Sequence, residues 1–101
     1  MKAYCYILHS DSLNRFYVGS TILTIEKRLE RHLESYYGKL KYTHGTKDWK
    51  LYLEIECITY AQARRIESHI KRMKSKTYIQ NMKKYPEILD KLLRRYHEAQ
   101  D

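Results

Sequence analysis

Residues 3–20 read AYCYILHSDSLNRFYVGS. Two apolar runs, 3–9 and 15–20, flank the polar stretch Ser10–Asn14, which has turn chemistry. Both sides of the first run are apolar. Tyr4, Tyr6 and Leu8 alternate with Cys5 and Ile7, the pattern of a strand buried on both faces. The two runs therefore predict a hairpin whose first strand is central. Gly19, near the end of the second run, predicts a close backbone approach or a bulge.

The chain after the hairpin supplies what covers it. Thr21 to Tyr37 contains a predicted helix, with Thr24 as N-cap, Gly38 as its stop and Ile25, Leu29, Leu33 and Tyr36 as its stripe. Residues 38–48 are polar and basic, a loop able to touch a ligand. Residues 49–58, WKLYLEIECI, alternate: Leu51, Leu53, Ile55 and Cys57 against Tyr52, Glu54 and Glu56. This is a half-buried third strand. Thr59 to Lys74, TYAQARRIESHIKRMK, is a helix with the stripe Ala63, Ile66, Ile70 and Met73. Residues 75–84 read as a basic break and a short helical turn. Pro86 opens a last helix to about residue 98, packed through Ile88, Leu89, Leu92, Leu93 and Tyr96. The order is β-β-α-β-α-α. The class is α+β, a small three-stranded antiparallel sheet flanked by helices. One domain spans 1–101, with a core over about 1–83.

Twenty Lys and Arg stand against 12 Asp and Glu. Between Arg64 and Lys84 there are eight basic residues and a single acid, Glu67. That is the footprint of a phosphate-binding face, most simply for nucleic acid. Lys47, Arg64, Arg65, Lys71, Arg72, Lys74 and Lys76 are its candidate contacts. The plain alternative for Glu67 is an i, i+4 pair with Lys71 on a solvated face. No apolar run approaches a membrane span, and no signal-peptide pattern opens the sequence, so a cytoplasmic protein without a membrane partner is expected. Cys5 and Cys57 lack zinc-ligand spacing and fall in strand runs, so both are expected to be reduced core residues. His9, His44, His69 and His97 are assigned to the surface.

Several short pieces then fall in order: Tyr4-Cys5-Tyr6-Ile7-Leu8, Phe16-Tyr17-Val18-Gly19-Ser20-Thr21, Lys27-Arg28-Leu29 with His32, Asp48-Trp49-Lys50-Leu51, and Ala63, Glu67 and Ile70-Lys71. The ordered set resembles the GIY-YIG nuclease superfamily, in its small single-domain members, through about Asn81. The resemblance implies that Tyr6 ends the first motif and that Tyr17 and Gly19 bound the second. It implies Arg28 as the helix arginine, His32 as the histidine one turn later, and Glu67 as the ligand of a divalent metal. The first motif departs in carrying Tyr4 where the name has Gly. The interval from Tyr17 to Arg28 is one residue longer than the commonest form, which makes Arg31 the fallback arginine. Asn81 is the candidate for a late asparagine.

The implied activity is metal-dependent DNA endonuclease chemistry, in DNA repair or recombination, with Mg²⁺ or Mn²⁺. Hydrolysis of a phosphodiester needs an activated water and charge stabilisation at the phosphoryl oxygens. Mg²⁺ keeps its waters and takes substrate phosphate, so a lone carboxylate suffices. Arg28 suits the phosphate. By analogy Tyr6 is the general base, Tyr17 orients water or phosphate, and His32 relays the proton. All four, Tyr6, Tyr17, Arg28 and Glu67, are expected to converge on one concave basic surface. The sequence carries no zinc finger or long basic arm, which favours cutting directed by branched or structured DNA, or weakly selective cutting, over recognition of a long site. Two rivals stand beside this reading. One is a non-catalytic nucleic-acid-binding module of the same fold. The other is a protein-interaction domain using Tyr36, Tyr37 and the last helix.

Overall fold

Three strands and three helices account for most of residues 2–22 and 48–97, the part of the chain that the computed structural model describes. Strand β1 runs Ala3–Ser10, β2 Arg15–Thr21 and β3 Lys50–Cys57. Helix α1 runs Tyr60–Met73, α2 Lys76–Lys84 and α3 Pro86–Arg95. All strand pairs are antiparallel in the order β2-β1-β3, with β1 central as its two apolar faces require. The described order is thus β-β-β-α-α-α. The helix expected within 21–37 and the loop expected from 38 fall outside the described residues, apart from Thr21, Ile22 and Asp48. Segment 76–84, read from sequence as a break with a short turn, is instead a nine-residue helix. Ser75 caps it, accepting from the Tyr78 N–H at 3.0 Å.

The elements start and stop for local reasons. Asn14 takes the left-handed conformation, φ 51°, which closes the hairpin turn. The Asp48 carboxylate pins that turn, accepting from Ser10 Oγ at 2.6 Å and from the Ser12 N–H at 2.8 Å. Thr59 Oγ1 accepts from the Gln62 N–H at 2.9 Å and so caps α1. Tyr85 ends α2 and precedes α3 in extended backbone, as a residue before proline must, and Pro86 occupies the first turn.

The main core lies between the sheet and the helices. Cys5, Ile7 and Ile55 meet Ala63, Ile66 and Ile70 of α1, with Ile79, Met82 and Leu92 behind them. Tyr6, Leu8 and Trp49 form a second cluster on the other face of β1. Four sequence expectations change here. Met73, the last residue of α1, is exposed, and Gln62 joins the buried face instead. Gln62 is satisfied there: Oε1 accepts from the Ile58 N–H at 2.8 Å and Nε2 donates to the Leu93 carbonyl at 3.0 Å. The alternation of β3 breaks as well. Ile7 pairs with Leu53 but Leu8 with Leu51, so a bulge at Tyr52 reverses the parity. Leu51 is exposed, and Tyr52 packs on the main core against Phe16. His69 is not a surface residue either. It sits between the hydroxyls of Tyr78 and Tyr96, each 3.2 Å from a ring nitrogen, and joins α1 to the two later helices. His9 is half-buried, stacked near Phe16 and 3.0 Å from the Asp11 carboxylate. No helix among the described residues is long and apolar enough to cross a membrane.

Candidate active site

β2 is one of the two edge strands of the described sheet, and the candidate site is built around its outer edge. Tyr17, Gly19 and Ser20 of β2 and Tyr60, Arg64 and Glu67 of α1 line one shallow polar pocket of about 280 Å³. α1 presents these residues because Ala63, Ile66 and Ile70 are drawn into the core. Positions 60, 64 and 67 then share the flank that overhangs β2.

Glu67 is held from two sides. Ser20 Oγ donates to Oε1 at 2.5 Å, and Lys71 Nζ donates to Oε2 at 2.6 Å. The i, i+4 pair expected as the plain alternative is therefore present, with the Lys71 side chain about half exposed and that of Glu67 only 20% exposed. Ser20 pairs with Cys5 in the sheet, so the carboxylate stands above the core. Burial pushes the Cys5 thiol far up, and the neighbouring Cys57 and Glu67 push it further. The Arg64 guanidinium lies over the Tyr60 ring, 5.9 Å from its centre, at the mouth of the pocket.

The tyrosines come from the other side of the strand. Tyr6 and Tyr17 are on adjacent strands with ring centres 6.5 Å apart. Tyr17 packs with Tyr6, Leu8 and Trp49, on the face opposite Ser20. Tyr6 is buried, and its ring lies over Gly19, its partner in the ladder. A Cβ at Gly19 would stand 2.5 Å from the Tyr6 hydroxyl oxygen, so the close backbone approach expected there is made. The site is thus not the single-faced surface that the sequence suggests. Tyr17 and Glu67 belong to opposite faces and line one pocket because that pocket wraps the edge of β2.

The remaining sequence candidates divide. Lys71, Lys74 and Lys76 line an adjoining groove. Arg65 and Arg72 are exposed on α1 and line neither depression. Asn81 is half-buried on α2 and also lines neither. Arg28, Arg31, His32 and Lys47, with Tyr36 and Tyr37 of the rival surface, lie outside the described residues. Ser20 and Tyr60 are the residues that sequence reasoning missed. A hydroxyl directly after Gly19 was visible, but only the pairing of β2 with α1 gives it a partner.

Among the described residues no three His, Cys, Asp or Glu side chains gather into a metal cage. One fixed carboxylate in an open polar pocket fits a hard cation that retains waters and takes phosphate oxygens as further ligands. It does not fit a closed zinc site.

No curated protein and no solved structure matches the chain. The model of the GIY-YIG catalytic domain does, over residues 2–88. That span includes the hairpin with Tyr6, Tyr17 and Gly19, all of β3, and α1 with Glu67. The chain belongs to the GIY-YIG family, a family of nucleases.

Proposed function

We propose that the protein is a metal-dependent DNA endonuclease that hydrolyses phosphodiester bonds with Mg²⁺ or Mn²⁺. The observation that carries this reading is Glu67, fixed by Ser20 beside Tyr17 and Arg64 in a pocket at the edge of a basic face. A divalent cation held by Glu67 would polarise a phosphoryl oxygen and offset the charge that builds on it. Arg64 binds a neighbouring phosphate from the pocket mouth. Tyr17 orients the attacking water or the phosphate. Tyr6, buried against Gly19 behind the pocket, is assigned the general base by family position. Arg28 and His32 are assigned phosphate binding and proton relay by family position.

One observation favours the rival, a binding module without catalysis. Lys71 already neutralises the Glu67 carboxylate at 2.6 Å. For metal to bind, the exposed Lys71 side chain must swing toward phosphate, which its flexible stem permits.

The test is a panel of plasmid, flap, junction and single-stranded DNAs, with Mg²⁺, Mn²⁺ or chelator. Wild type should give metal-dependent products, and Glu67→Ala none. Glu67→Ala should bind DNA as well as wild type or slightly better, since a negative charge has left a basic face. If neither protein cuts a DNA that both bind, the binding module is correct. Equal cutting by Glu67→Ala removes Glu67 from its role.

A further inference from the structure

A second and larger depression begins where the active site ends. It has a volume of about 540 Å³ and lies between β2 and the junction of α1 with α2. Tyr17 belongs to both depressions, and Lys71, bonded to Glu67, stands between them. The floor is apolar, with the half-buried rings of Phe16 and Tyr17 lying over the buried Val18, Ile70 and Ile79. The rim is cationic. Arg15 starts β2, Lys74 caps α1, and Lys76 opens α2. No acidic side chain lines the groove.

The rim is also positioned. Lys76 donates to the Asn14 carbonyl at 2.7 Å, which ties the start of α2 to the hairpin turn. Lys74 has φ 47°, and its N–H bonds the Lys71 carbonyl, so its side chain leaves from a fixed point. An apolar floor alone would suit any greasy partner, and a cationic rim alone would suit the phosphates of a duplex. The two together suit a ligand with an anionic backbone and flat apolar faces. A duplex hides its base faces within the stack and offers phosphates and edges. An unpaired strand offers both, and binding grooves for it combine cations with aromatic rings on which bases stack, here Phe16 and Tyr17.

We propose that this groove holds an unpaired nucleic-acid strand continuous with the phosphate at Glu67. The substrate class is then DNA whose scissile phosphate adjoins a single-stranded segment. The proposal rests on the nuclease reading of the neighbouring pocket, and it adds Arg15 to the binding residues. An acidic peptide would satisfy the rim and leave the floor unused.

The test measures binding in chelator, so that no cutting intervenes. The intact protein is titrated with a labelled blunt duplex and with the same duplex carrying a short oligothymidine or oligouridine tail. Either tail should tighten binding about tenfold, the effect of stacking roughly one base. A gain from the oligothymidine tail at least equal to that from oligouridine supports DNA, and a clearly larger gain from oligouridine overturns the assignment to DNA. Arg15→Gln should cut the tail's gain to less than about threefold and lower the salt slope for the tailed probe by about one. Arg15 is exposed at the start of β2, and an unchanged circular dichroism spectrum will show that the variant is folded. No gain from a tail, an undiminished gain in Arg15→Gln, or equal displacement of the tail by polyglutamate each overturns the groove. If blunt-duplex binding and metal-dependent cutting persist, the groove proposal falls alone. If no DNA of any form binds, the nuclease reading falls with it.

Discussion

Ser20 on β2 donates its hydroxyl hydrogen to Oε1 of Glu67 on α1 at 2.5 Å, joining residues 47 positions apart. The bond leaves the carboxylate one arrangement relative to the edge of β2. Removing it should loosen the ligand rather than the fold. In Ser20→Ala, the Mg²⁺ concentration for half-maximal cleavage should rise about tenfold, the low end of what lost support to a metal ligand costs. Stability should fall by about 1 kcal/mol. Ser20→Thr should restore metal affinity. A metal titration of cleavage and a urea melt separate the two effects.

Gly19 is the position where a methyl group has no room. Its Cβ would meet the Tyr6 hydroxyl oxygen at 2.5 Å and the adjacent ring carbon at 2.6 Å. Tyr6 is buried and cannot swing into solvent. Gly19→Ala should therefore destabilise the protein by about 1–3 kcal/mol, the range for overpacking a filled site. Cleavage should fall further than stability accounts for, because the Tyr6 hydroxyl is displaced. Tyr6→Phe should keep the fold and lose the activity, measured by urea unfolding beside cleavage rate.

His69 makes stability pH-dependent. Burial, then Arg95 and Arg72, hold its imidazole below the ordinary value. The unfolded chain then binds the proton first, so stability is intact above the ordinary imidazole pKa of about 6.5 and is lost as pH falls through the lowered folded value. The urea midpoint should drop between pH 7.5 and pH 5.5. The drop should be smaller in His69→Gln, which keeps hydrogen-bonding capacity toward Tyr78 and Tyr96 without titrating.

Both cysteines should be inert while the protein is folded. Cys5 and Cys57 are buried and reduced. Burial pushes the Cys57 thiol up to about 11 and Cys5 higher still. At pH 8 a thiol-reactive dye should label the native protein at least about a hundredfold more slowly than the urea-unfolded chain, with two thiols reacting after unfolding. Rapid native labelling of Cys57 would show that β3 opens locally.

Much of the architecture was legible along the chain because it rests on local periodicity. Alternation through Tyr4–Leu8 on both faces made β1 central, and Thr59 with Ala63, Ile66 and Ile70 marked α1 and its buried stripe. The ordered motif residues also carried the family, which the match over residues 2–88 bears out. What failed depended on contacts between distant segments. A bulge shifts parity without changing composition, so Tyr52 and Leu51 exchanged faces unseen. Gln62 stayed outside the expected stripe of α1 and His69 was assigned to the surface, because their partners, the Leu93 carbonyl and the hydroxyls of Tyr78 and Tyr96, belong to later segments.

The sequence by itself determined the strand and helix periods, the basic character of the 64–84 segment and the isolation of its one acid. Those properties follow from side-chain type and spacing, which need no partner. Only the tertiary structure decided that Ser20 orients Glu67, that Tyr6 is seated on Gly19, and that Tyr17 and the carboxylate meet around an edge rather than on one face. Strand pairing sets which residues lie opposite one another, and helix packing sets which flank overhangs the strand. Neither distance exists until the chain has folded.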